Sequence, residues 1–126
     1  MALVLNEEQV MLKDSAAGFL AERATVAHLR ELRDSHSERG FSDAVWREMV
    51  EMGWAGIAIP EAFGGLGYGY TGLGLVLEQA GRNLSASPLQ SSVLVAATLV
   101  AELGSGGQKE QWLPAIASGE KLVTLA

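Results

Sequence analysis

The chain has 126 residues, of which 48% are hydrophobic and 19% charged, a composition typical of one small globular domain rather than a disordered segment. A net charge of −6 and a pI near 4.8 argue against nucleic acid or an anionic membrane as the main partner. The absence of cysteine excludes disulfides, thiolate metal sites and a cysteine nucleophile, and we expect a reducing, cytoplasmic setting.

The first third of the chain predicts three helices. The run Asn6-Glu7-Glu8-Gln9 has the form of a capping box with acidic residues in the first turn, so a helix should extend from there to about Glu22. Thr25 to Asp34 predicts a second, more polar helix on the surface. Ser42 is a candidate N-cap for a third helix, which Gly53 should end with a left-handed cap.

The stretch from Gly53 to Gly72 contains no helix-forming pattern and separates two helical halves. Its many glycines suit positive φ angles and close backbone approach. Trp54, Ile57 and Phe63 favour a loop that packs its own apolar side chains, so we expect it to be ordered.

Within this loop, Gly67 to Gly72 spells G-x-G-x-x-G. The dinucleotide fingerprint requires a strand that leads into the first glycine and an acidic residue about 20 positions later. The only strand-like run, Ala55 to Ile59, ends at Pro60, and Ser91 to Leu94 occupies the later position. The motif is therefore interpreted as a structural turn, and a stand-alone nucleotide-binding protein is the weakest alternative.

The second half predicts three more helices. Thr71 can cap the first, whose apolar face comprises Leu73, Val76, Leu77, Ala80 and Leu84. Leu89 to Leu103 is apolar on nearly every side, which is typical of a helix buried in the core. It is also well short of the roughly 20 apolar residues that a membrane span needs. Gln108 to Ala117 predicts the last helix.

The predicted fold is all-α, an irregular bundle of about six helices over residues 1–120. The β-leaning run at 121–126 predicts a strand, and a strand without a partner strand here indicates that more protein follows. Three tryptophans are expected to anchor the core: Trp46, Trp54 and Trp112.

The residues alone show no active site and no metal site. His28 and His36 lie in polar surroundings without a triad or ligand spacing, so both are expected at the surface. Ser91 and Ser92, at the start of the apolar helix, can line a cavity or cap the helix. Capping is the more ordinary role.

Several motifs, taken in order, resemble the N-terminal helical domain of the acyl-CoA dehydrogenase family, with bacterial-type members most similar. The matching pieces are Gly53-Trp54-Ala55-Gly56-Ile57-Ala58-Ile59-Pro60-Glu61, Phe63-Gly64-Gly65-Leu66-Gly67, Leu77-Glu78-Gln79-Ala80-Gly81-Arg82, Gly107-Gln108-Lys109, Trp112-Leu113-Pro114, Ala117-Ser118-Gly119-Glu120 and Thr124-Leu125-Ala126. Their order and spacing over nearly the whole chain make the resemblance specific.

The resemblance implies an oxidoreductase of fatty acid β-oxidation that converts an acyl-CoA to the trans-2-enoyl-CoA. A glutamate base and FAD would act on the substrate, and an electron-transferring flavoprotein would reoxidise the flavin. The resemblance places the acyl tail beside Leu89, Ser91, Ser92 and Val95, and the flavin near Leu125. It makes 121–126 the start of the first strand of a middle β-domain. It assigns no catalytic residue to this chain, which should be inactive alone because the base and most FAD contacts belong to further domains.

A second hypothesis is a non-catalytic helical subunit or partner of a dehydrogenase. The apolar run Leu89 to Leu103 motivates it, since such a helix needs burial on all sides and can find it in a homo- or hetero-oligomer.

Overall fold

The computed structural model describes residues 4–126, and over that range it is helical without any strand, which confirms the all-α prediction. The helices are α1 (Glu7–Arg23), α2 (Val26–Asp34), α3 (Asp43–Glu51), α4 (Gly69–Asn83), a π-helix (Leu89–Ala96) continued by α5 (Ala97–Leu103), and α6 (Gly106–Ala117).

The predicted helix starts in the first half are confirmed by their caps. Asn6 Oδ1 accepts a hydrogen bond from the Gln9 amide at 2.8 Å, and Gln9 Oε1 accepts one from the Asn6 amide at 3.0 Å. Ser42 Oγ accepts a bond from the Val45 amide at 3.4 Å. These side chains satisfy amide groups that have no partner inside the helix, and so fix where each helix begins.

The glycine-rich loop is ordered, as predicted, and closes on itself. It forms two 3₁₀ turns, Trp54–Gly56 and Glu61–Phe63. The Leu66 amide donates to the Gly56 carbonyl at 2.9 Å and the Tyr68 amide donates to the Ile57 carbonyl at 2.9 Å. Backbone pairing of this kind replaces the hydrogen bonds that a loop would otherwise take from water.

The core lies between α1, α3, α4 and the π-helix, and a smaller cluster lies between α5 and α6. Trp54 is 1% exposed and meets Phe19 of α1 edge to face, with ring centroids 5.4 Å apart, a favourable aromatic geometry. The smaller cluster consists of Ile59, Ala97, Leu113 and Ile116, with Val123 packed against it.

Three predictions about side chains and caps are wrong. Thr71 does not cap α4, because the pairing of Tyr68 with Ile57 starts that helix at Gly69. Leu84 does not lie on the apolar face of α4. The helix ends at Asn83, and Leu84 has a left-handed backbone with a φ of +48°. Trp112 is 36% exposed, because Leu113 and Ile116 take the inward positions of α6.

The apolar segment Leu89 to Leu103 is not buried on every side, which corrects the prediction. Its first part is a π-helix and its second an α-helix, and in both only one side faces the core. Val95, Leu99 and Leu103 remain 37%, 43% and 78% exposed. They lie four residues apart and share one face.

Residues 118–126, here called the exit segment, follow α6 without regular structure. The Lys121 amide donates to the Ala115 carbonyl at 3.0 Å, and the Val123 amide donates to Ser92 Oγ at 3.2 Å. The strand predicted at 121–126 needs a partner strand that residues 4–126 do not supply, so it stays a prediction.

Candidate functional site

The predicted acyl-binding residues lie at the start of the π-helix, which Pro88 begins. The Ser92 amide donates to the Pro88 carbonyl at 2.9 Å, and Ser91 Oγ donates to the same carbonyl at 3.3 Å. Proline suits this position because its missing N–H would have no partner in the first turn. π-Helical turns are rare in proteins, and those that occur often lie at functional sites.

The helix divides the four predicted residues between two sides. Leu89 and Ser92 point inward, at 0% and 1% exposure, whereas Val95 is 37% exposed and Ser91 is also exposed. Only Ser91 and Val95 can therefore touch a molecule outside the domain without rearrangement. Leu89 and Ser92 lie on the buried side of the same helix.

Ser91 opens on a cleft of about 350 Å³ between the π-helix, the linker before α3 and the exit segment. Phe41, Pro88 and Thr124 also line it. The Arg39 guanidinium lies 5.1 Å from the centroid of the Phe41 ring, a cation–π distance. The cleft thus combines one aromatic ring, one cation and small polar groups.

Val95 faces a second hollow, of about 450 Å³, on another side of the same helix. We call its lining the apolar strip, which consists of Tyr70, Leu94, Val95, Thr98, Leu99, Glu102 and Leu103. The prediction from sequence found only Val95 in it. Apolar residues at positions 95, 99 and 103 recur at helical spacing, which indicates a shared apolar face. The prediction missed this face because it assumed that the helix Leu89 to Leu103 is buried on all sides.

The described residues show no acid–base pair at either hollow. Among residues 4–126, the ion pair with shifted pKa values lies elsewhere, where Arg23 Nε donates to Glu48 Oε2 at 3.1 Å. Hydrogen bonding to Arg23 lowers the pKa of the Glu48 carboxyl, and the same bond raises the pKa of Arg23. This pair joins α1 to α3 and is structural.

Within residues 4–126 no group of three His, Asp or Glu side chains is placed to hold a metal ion. His36 is exposed and His28 is half-buried. In the same range no helix is long and apolar enough to cross a membrane.

The segment Gly67 to Gly72, whose last four residues are the first turn of α4, does not have the form of a dinucleotide site. A 3₁₀ turn and irregular backbone precede it, not a strand. The amides of Gly67 and Tyr68 are already bonded to the carbonyls of Ile59 and Ile57, at 3.0 and 2.9 Å, so they cannot cradle a phosphate. The structural-turn interpretation fits these contacts.

Leu125, which the resemblance places near the flavin, lies in the exit segment. It is 62% exposed and lies two residues beyond the anchored Val123 amide. An exposed apolar side chain can touch the edge of a ring system, but it holds neither phosphates nor ribose.

Comparison with known proteins gives one family. The model of the acyl-CoA dehydrogenase N-terminal domain matches residues 6–120. Acyl-CoA dehydrogenase FadE12 of Mycobacterium tuberculosis is 29% identical over 126 residues, covering 99% of this chain and 31% of that protein.

Two solved structures have the same fold. A variant of the Tcur3481-Tcur3483 steroid ACAD is 36% identical, with a TM-score of 0.83, over 94% of this chain and 32% of that chain. The ChsE4-ChsE5 complex of Mycobacterium tuberculosis is 30% identical, with a TM-score of 0.85, over 98% of this chain and 34% of that chain. This chain thus spans about a third of the proteins that it matches.

A match from residue 6 to residue 120 includes all the described helices from α1 to α6. The glycine-rich loop, the π-helix and the turn after α6 lie inside it. The chain therefore belongs to the acyl-CoA dehydrogenase family, of which it is an N-terminal helical domain.

Proposed function

We propose that the complete protein containing this chain is an FAD-dependent acyl-CoA dehydrogenase that oxidises an acyl-CoA to the trans-2-enoyl-CoA. The observation that carries the proposal is the family match over residues 6–120. In such a reaction a base removes the α-proton of the thioester, and bound FAD accepts the β-hydride. In this proposal the base and most flavin contacts would belong to residues outside these 126.

This chain contributes one wall of the acyl site. Ser91 and Val95 are the exposed members of the predicted set, and Leu89 and Ser92 hold the wall in place from the core. Leu125 approaches the edge of the flavin from the exit segment. The small and apolar character of these side chains suits a hydrocarbon tail, which gains free energy by leaving water.

The acyl group that we favour is bulky. The steroid ACAD is 36% identical to this chain, and the cleft beside Ser91, of about 350 Å³, is open to solvent. An open cleft excludes few substrates by steric clash. We therefore expect a steroid-derived CoA ester to be accepted as well as a straight-chain ester.

Electron-transferring flavoprotein is the proposed acceptor, and the bacterial cytoplasm is the proposed location. The enzyme would act in fatty acid or related β-oxidation. A homo- or hetero-oligomer is expected, because the apolar strip is uncovered in this domain.

The test uses the protein as the native cell makes it. Its intact mass should exceed 13.3 kDa severalfold, and it should carry bound flavin whose absorbance bleaches on addition of acyl-CoA. The 126-residue chain alone is the control and should bind no flavin. A native protein without flavin, or without bleaching by any acyl-CoA, would overturn the proposal.

The acyl wall has its own test in the complete enzyme. Ser91→Trp and Val95→Trp add bulk on the exposed side, and each should lower kcat/KM for long or bulky acyl-CoA esters relative to short ones. Glu110→Trp adds the same bulk to an exposed position of α6 and should leave the ratio unchanged. An unchanged ratio in both wall variants would place the acyl tail elsewhere.

The alternative of a non-catalytic subunit rests on the apolar strip, where Val95, Leu99 and Leu103 are uncovered. A native mass near 13.3 kDa, with no flavin and stable capture of a separate dehydrogenase subunit, would favour it over the enzyme.

A further inference from the structure

The hydroxyl of Ser92 does not face an open cavity. Ser92 is 1% exposed, and its Oγ accepts a hydrogen bond from the Val123 amide at 3.2 Å, across 31 positions of the chain. A buried hydroxyl that accepts a backbone amide is a structural tie between two segments. This tie joins the π-helix to the exit segment.

The exit segment is fixed at two points before the tie. Gly119 has a φ of +72°, and a Cβ there would lie 2.5 Å from Val50 Cγ2, so the chain turns tightly against α3. Next, the Lys121 amide donates to the Ala115 carbonyl at 3.0 Å. The Val123 amide is then the third fixed point, and its side chain packs on the cluster around Leu113.

Beyond Val123 the described residues form no backbone hydrogen bond to the rest of the domain. Thr124, Leu125 and Ala126 are exposed. The direction of Leu125 is therefore set at Val123, two residues earlier, by the hydrogen bond to Ser92. The same π-helix carries Ser91 and Val95 on its exposed side, so one hydroxyl links the acyl wall to the segment that would meet the flavin.

We propose that Ser92 is a positioning residue whose hydroxyl, by holding the Val123 amide, fixes the exit segment and with it the approach of Leu125 to the flavin. Its effect on the flavin rests on the proposed function, whereas the hydrogen bond itself does not. Loss of the acceptor leaves a partly buried amide without a partner, and the segment is then free to move.

The first measurement needs no variant. Amide hydrogen exchange of the 126-residue chain, read residue by residue, should show Val123 at least tenfold slower than its exposed neighbours Thr124 and Leu125. Exchange of Val123 as fast as Thr124 would overturn the proposal directly, whether or not the complete protein binds flavin.

The second measurement uses the complete flavoprotein with Ser92→Ala. Exchange of the Val123 amide should rise at least tenfold, and the absorbance and fluorescence spectra of the bound flavin should shift. Ser92→Thr, which retains the hydroxyl, should restore both. Val45→Ala, a buried change in α3, controls for lost stability and should leave the flavin spectra unchanged.

The outcomes separate the two proposals. If the native protein binds no flavin, the proposed function fails. The exchange data alone then decide whether Ser92 holds the Val123 amide. If flavin is bound but Ser92→Ala matches the native protein within a factor of two in exchange and in its spectra, the positioning role is wrong. If Ser92→Ala does not fold, the exchange rate of Val123 in the native chain decides.

Discussion

Gly65 is the position where the loop between α3 and α4 tolerates no side chain. A Cβ on this residue would overlap the carbonyl oxygen of Ile59, which also accepts the Gly67 amide at 3.0 Å. Since the obstacle is backbone, it cannot rotate away. Any larger residue must break the pairing that closes the loop.

We therefore expect Gly65→Ala to lower the free energy of unfolding by about 2 kcal/mol or more, the range of strained backbone and overpacking. Gly74→Ala is the matched control, because a Cβ there meets nothing within 4 Å and the position is inside α4. It should raise stability by about 0.5–1 kcal/mol. Urea unfolding of both variants checks this, and equal effects would contradict the loop geometry.

The ion pair between Arg23 and Glu48 makes a pH-dependent contribution. The folded-state pKa of Glu48 is lowered by its hydrogen bond to Arg23, so the pair stabilises the fold above the ordinary glutamate pKa. The contribution is lost as the pH falls through the lowered value. Because both side chains are largely exposed, salt should weaken the pair.

A double-mutant cycle with Arg23→Gln and Glu48→Gln measures this contribution. The coupling energy should be favourable at pH 7, and it should disappear at a pH well below about 4. High salt at pH 7 should reduce it. A coupling energy that stays the same from pH 7 to the acid range would show that the carboxylate charge is irrelevant.

At the scale of elements, local chemistry made the helix starts predictable. Asn6 and Ser42 act through neighbours within three residues, so the sequence pattern contains the whole interaction. The prediction that Thr71 caps α4 was wrong because the start of α4 is set by a hydrogen bond from the Tyr68 amide to the Ile57 carbonyl, eleven positions back. Such pairing has no local signal.

The candidate site was predictable only in part, for the same reason. The resemblance assigned Leu89, Ser91, Ser92 and Val95 to the acyl wall, which stays a prediction. Helical periodicity did not indicate the π-helix that places Leu89 and Ser92 inward. The tie from Ser92 to Val123 depends on how the exit segment folds back, which no spacing in the sequence encodes.

The capping box of α1 gives an element-scale prediction. Asn6→Ala removes the acceptor for the Gln9 amide and should lower the free energy of unfolding by about 1 kcal/mol. Ser15→Ala, at an exposed position within the same helix, should be neutral or slightly stabilising, since alanine is the better helix former. Thermal unfolding compares the two, and an equal Tm in both variants would mean that the cap contributes nothing.

At the scale of the whole molecule, the apolar strip distinguishes this domain alone from the complete protein. Leu99 and Leu103 are 43% and 78% exposed here, yet the chain spans about a third of its relatives' length. We expect residues outside this chain to cover the strip, because a large apolar face in water is unfavourable.

Leu99→Glu tests whether the strip is covered, by comparing the effect of the substitution on stability in the 126-residue chain and in the complete protein. In the 126-residue chain the change should alter the free energy of unfolding by no more than about 0.5 kcal/mol, as for an exposed position. In the complete protein it would bury a charge against apolar partners and should cost several kcal/mol or prevent assembly. Met11→Glu, at a 71% exposed position of α1, should be mild in both, and urea unfolding measures all four proteins. If Leu99→Glu is as mild in the complete protein as in the isolated chain, the strip faces water there and the remaining domains pack elsewhere.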